Sequence, residues 1–172
     1  MSALFSRETK NWEDDSVGLF PPAPPEAQAL LREASRSWSD TAKARGFLSE
    51  ADRLHGESLP VVLGCYKFYF YKGLLREAIP FALRAAEMMG QRLGLRRSFM
   101  ELSLEDAPFS DYVAGPRFYL FAMKAAGYLY ARLGETERAL EILEKIRTLD
   151  KNDHLGISPL IAVIRRGGRE EE

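Results

Sequence analysis

From Glu26 onward apolar residues return every three or four positions, with Ala, Leu, Glu, Arg and Lys dominating and glycine falling where helices would end. That period predicts amphipathic helices and an all-α chain. The densest stretch, GCYKFYFYKGLLREA at 64–78, sets five aromatic rings within positions 66–71 and then turns polar at Gly73. On a helix, Tyr66, Tyr69 and Gly73 share one stripe, while Lys67, Phe70 and Tyr71 turn toward another. No single buried face can take all of these rings.

The spacing repeats. Gly73 precedes Ala78 by five in GLLREA, Gly134 precedes Ala139 by five in GETERA, and Tyr69 and Tyr130 each lie four positions before the glycine. This reads as helix, turn, helix: glycine supplies a left-handed ending, and alanine lets the second helix approach the first closely. A weaker copy precedes them in LLREASRSWSDTAKARGFLSEADRL, where Ala44 lies 34 residues before Ala78 and Ser39 stands in place of the turn glycine. Ala78 and Ala139 are 61 apart, one 34-residue unit plus 27 residues, so an insertion is expected near 91–116.

The ends complete the plan. Residues 1–25 finish in PPAPPE, which cannot continue a helix or an inner strand, and are expected to be an extended arm. Within it, Trp12, Leu19 and Phe20 surround an acidic centre, either a docking peptide for another surface or an arm that folds back onto its own domain. Ser158 followed by Pro159 predicts a helix start, and Gly167 with Gly168 its end, leaving a charged tail at 167–172. A stack of repeats leaves its last apolar face bare, so PLIAVIRR is expected to be a capping helix.

These residues resemble the tetratricopeptide repeat (TPR) family. The third unit matches best through Met123, Ala126, Gly127, Tyr130, Gly134, Ala139 and Leu143, ending in LDKND where the family usually places a proline after the aspartate. The second offers Val62, Cys65, Tyr66, Tyr69, Gly73, Ala78 and Ala82, departing from the pattern at Tyr66, where the family has a small residue. The first keeps Leu31, Ala44, Leu48 and Ala51. The resemblance implies antiparallel hairpins stacked as about three TPR-like repeats over 26–166, with a C-terminal capping helix.

In that family the first helix of each hairpin lines a concave groove. Carried onto this chain, the resemblance points to Leu63, Lys67, Phe70 and Tyr71 in the second unit and Phe121, Lys124, Tyr128 and Arg132 in the third. Mixed aromatic and cationic side chains suit a peptide or helix with apolar anchors and acidic neighbours. The alternative is that Phe70, Tyr71 and Phe121 pack against the insertion or the arm. No asparagine lies on these helices, so the family's clamp on a C-terminal carboxylate is not expected. The insertion, basic in RLGLRRS and acidic in MELSLEDAPFSD, is a second candidate surface.

Composition narrows the function. The formal net charge is −1, which gives no basic excess for nucleic acid. Apolar runs such as LPVVLGCY fall far short of the roughly 20 residues that span a bilayer, and nothing near Met1 resembles a signal peptide, so a cytoplasmic protein without a membrane partner is expected. The lone Cys65 excludes an internal disulfide and suits a small buried apolar position. His55 and His154 have no metal-type partner at helical spacing, DKNDH reads as an inter-repeat turn, and Glu13, Asp14 and Asp15 have nothing apolar to raise a pKa. Neither an enzyme nor a cofactor is expected.

LPVVLGCYKFYFYKGLLREA also resembles small TPR proteins that accompany nitrogen-fixation genes in diazotrophic bacteria. This implies a non-catalytic adaptor that binds the nitrogenase molybdenum-iron protein during maturation, protection or inactivation, and that holds no cluster because it lacks thiolate ligands. The alternatives are a TPR-type chaperone for a secreted client and a self-assembling structural protein.

Overall fold

The computed structural model describes residues 16–167, and among these all regular structure is helical. Eight α-helices follow in order: α1 Ser16–Leu19, α2 Pro25–Arg36, α3 Thr41–His55, α4 Leu59–Tyr71, α5 Leu75–Leu93, α6 Ala114–Arg132, α7 Thr136–Leu149 and α8 Ile157–Arg165. The pairs α2/α3, α4/α5 and α6/α7 are hairpins stacked in succession, and α8 covers the last of them.

The turn chemistry explains the hairpins. Gly73 and Gly134 take φ of 71° and 79°, and the next residues donate back to the tyrosine carbonyls, Leu74 N to Tyr69 O at 2.8 Å and Glu135 N to Tyr130 O at 2.9 Å. The tyrosine four residues before each glycine therefore supplies the carbonyl that closes a Schellman-type ending. The first hairpin has no such glycine. There Asp40 caps α3 by accepting from Lys43 N at 3.0 Å. Ala44, Ala78 and Ala139 are all fully buried, which permits the close approach that their spacing implies.

The expected insertion is narrower than 91–116. The amphipathic run of α5 continues to Leu93, with Gly94 left-handed behind it, and α6 already begins at Ala114, since Pro116 is tolerated in a first helical turn. Residues 94–113 between them are anchored by buried Leu102, Ala107 and Phe109. Lys145 Nζ donates to Leu102 O at 2.7 Å, and Ser110 Oγ donates to Leu149 O at 2.8 Å.

The second half of the expected arm is not a free extension. Residues 16–19 form α1, Leu19 and Ala23 are buried, Arg92 Nη1 donates to Leu19 O at 2.6 Å, and Phe20 meets the Phe118 ring edge-on at 5.4 Å. Helix α2 starts at Pro25, one residue earlier than the expected domain boundary. Trp12, Glu13, Asp14 and Asp15 lie outside the described residues, as does the tail from Gly168 onward.

Ser158 does not cap the last helix. It is the second residue of α8, and the free amides are met by the Asp153 carboxylate, which accepts from Ile157 N at 2.6 Å and from Ser158 N at 3.2 Å. Asp153 reaches them from a left-handed backbone, φ 52°, a conformation Asp tolerates better than most residues. Asp153→Ala is therefore expected to lower the unfolding free energy by ~1 kcal/mol. Ser158→Ala should change it by less than about 0.5 kcal/mol; urea titration of the two variants checks the ordering.

Candidate functional site

Helices α4 and α6 lie side by side over α5, and a recess of about 220 Å³ opens between them. Leu63, Tyr66 and Lys67 form one wall, Phe118, Phe121, Ala122 and Ala125 the other, and Ala82 and Ala85 of α5 the floor. The 61-residue offset between the second and third units explains the space. Where α7 has Leu143 and Ile146, both fully buried, α5 has Ala82 and Ala85. Where α6 has Gly127, α4 has Tyr66.

The two hairpins thus exchange bulk. A Cβ on Gly127 would come within 3.1 Å of Leu143, so the third hairpin closes by pairing a bare backbone with a large side chain. The second pairs a ring with two alanines. Tyr66 stands in the gap, half-buried, and burial pushes its hydroxyl pKa upward. The large residue at Tyr66, where the TPR pattern has a small one, is therefore matched by small residues on the facing helix.

Seven of the eight expected groove residues fall into two adjoining groups. Leu63, Lys67 and Phe121 line the recess itself. Phe70 stacks on Tyr66 at 5.7 Å, meets Tyr71 edge-on at 5.3 Å and reaches Tyr128 at 6.3 Å, so Tyr66 joins this ring chain to the recess. Arg132 follows from Tyr128, donating through Nη1 to its hydroxyl at 2.9 Å. Tyr71 and Phe121 are 71% and 56% exposed, so neither is covered by the insertion or by residues 16–25.

Lys124 stands apart. Its Nζ donates to Leu155 O at 2.5 Å and ties α6 to the turn before α8. The sequence reading missed Tyr66, Phe118, Ala82 and Ala85 as recess-lining residues, although comparing the two units position by position carries the signal for three of them. Two further recesses flank the first: one of about 210 Å³ between α2 and α4, and one of about 320 Å³ beside α8. Lys67 lies on the rim shared by the first two.

On the face of α4 turned toward α3, Cys65 is buried, its Sγ 3.9 Å from Leu48 O. A protein of Azotobacter chroococcum mcd 1, described as "Uncharacterized 19.8 kDa protein in nifW 5'region", is 32% identical to this chain over 160 residues, covering 91% of this chain and 89% of the relative. No family model and no solved structure matches the chain. No helix among the described residues is long and apolar enough to cross a membrane.

Burial pushes the Cys65 thiol up to about 12, with the Asp52 carboxylate adding to the shift, and burial raises the Tyr119 hydroxyl to about 12 as well. The folded chain holds these protons where the unfolded chain releases them. The stability they contribute is full below the unfolded pKa, roughly 8.5 for Cys, and is lost as pH rises toward the folded value. Urea unfolding is expected to show falling stability between about pH 9 and 11, with Cys65→Ala removing part of that slope.

Proposed function

We propose that this chain, which belongs to the same family as the 19.8 kDa protein of the Azotobacter nifW 5' region, is a non-catalytic adaptor of nitrogen fixation. Its partner on this reading is the nitrogenase molybdenum-iron protein, met during maturation, protection or inactivation. The nitrogen-fixation half of the proposal rests on where the relative's gene lies. The adaptor half rests on one observation: Tyr71 and Phe121, both more than half exposed, flank a ready-made apolar recess. Large exposed rings grouped around a cavity are the usual anchors and sockets of protein interfaces.

The mechanism is complementarity. Close-packed hairpins hold the rings in place before a partner arrives, so little ordering entropy is lost on binding. Chemistry is left to the partner.

The test is affinity capture of the tagged full chain from nitrogen-fixing cells under anaerobic conditions, with the bound chains identified by mass. Molybdenum-iron protein subunits are expected with the wild type and much reduced with the Phe70→Ala/Tyr71→Ala variant. Equal recovery by both would remove this face as the interface. Recovery of no nitrogen-fixation protein at all would remove the reading.

A further inference from the structure

Beyond α2, which carries Glu26 and Glu33, the acids of the hairpin helices are confined to one layer. Helices α4, α6 and α8 contain no Asp or Glu, whereas α3, α5 and α7 carry Glu50, Asp52, Glu77, Glu87, Glu137, Glu141 and Glu144. The acid-free helices hold Lys67, Arg117, Lys124, Arg132 and Arg165. The whole chain is nearly neutral, so this is segregation and not a basic composition.

These cations are also poorly neutralised. Arg165 pairs with Glu144 at 2.6 Å. Lys124 is held by a carbonyl, Arg132 by a phenol, and Arg117 lies over the Tyr112 ring at 4.6 Å. None of these three partners carries a negative charge, so each orients its cation and leaves the charge in place. Lys67, exposed at the mouth of the recess, forms no ion pair with the described residues.

From this we infer that the recess between α4 and α6 receives one aromatic side chain from an acidic segment of a partner protein, carboxylates flanking the ring. This rests on the adaptor reading above and names the chemistry of the partner's contact. Size supports the anchor: an apolar cavity of about 150 Å³ holds benzene, and this recess is about 220 Å³ with walls of rings, alanines and aliphatic stems. Charge supports the flanks. A surface bearing one sign of charge attracts the opposite sign and raises the encounter rate, and Lys67 sits where residues beside a buried anchor would pass.

The chain's own Trp12-Glu13-Asp14-Asp15 has related chemistry and must be separated from an outside partner. The probe is a fluorescein-labelled synthetic peptide with one central tryptophan between paired glutamates, titrated against the full chain by anisotropy. Control peptides replace the tryptophan with alanine or the glutamates with lysine. Binding is expected for the probe, to fall about tenfold or more with Lys67→Glu, and to be lost for both controls. Lys67 is exposed, so the variant's helical signal should match the wild type.

Equal binding of the lysine peptide, or no effect of Lys67→Glu, overturns the proposal. Binding to the Trp12→Ala chain but not to the wild type also overturns it, because the occupant is then the chain's own segment. Probe binding without capture of any nitrogen-fixation protein keeps the groove chemistry and rejects the nitrogenase reading. Capture that is indifferent to Lys67→Glu does the reverse.

Discussion

Close approach of paired helices at alanine is the constraint from which the rest of the structure follows. Ala44, Ala78 and Ala139 are fully buried, each at the point where the second helix of a hairpin meets the first. A larger side chain there would force the hairpin open, at a cost of about 1–3 kcal/mol per misfit. With the hairpins closed, the side chains that remain on the first helices face the neighbouring unit and the solvent. The recess is what is left between two such faces when α5 offers Ala82 and Ala85 and α7 offers Leu143 and Ile146 at matching positions.

The rings of α4 divide accordingly. Phe68 and Tyr69 go into the core, Tyr66 and Phe70 bridge toward α6, and Tyr71 stands in solvent. Tyr69 illustrates the economy of the arrangement: its carbonyl closes the turn while its ring stacks on Phe81 at 5.6 Å. Lys72 extends the same principle to the first hairpin, donating to Trp38 O at 2.6 Å while lying over the Trp38 ring.

The hairpins and their turns were legible in the sequence because their signals are local: a helical period, a glycine that accepts positive φ, an alanine five residues on. What was not legible depended on distant contacts. The insertion gives up its first three and last three residues to α5 and α6, and its buried Phe109 lies against Tyr119 of α6, a contact that local spacing cannot reveal. Residues 16–25 fold back through contacts with Arg92 and Phe118, far along the chain. Asp153 outcompetes Ser158 for the α8 amides because a left-handed residue four positions before the helix aims a carboxylate at its axis. Of the eight expected groove residues, Lys124 is the one turned to an internal tie.

The central claim is that the α4/α6 recess is preformed open space produced by small residues on α5. The direct measurement is the unfolding free energy, by urea titration, of an Ala82→Leu/Ala85→Ile variant that copies the α7 residues onto α5. Unchanged stability, or a gain of up to ~2 kcal/mol from the added apolar contact, is the expected result. A loss of ~2 kcal/mol or more, the signature of overpacking, would contradict it.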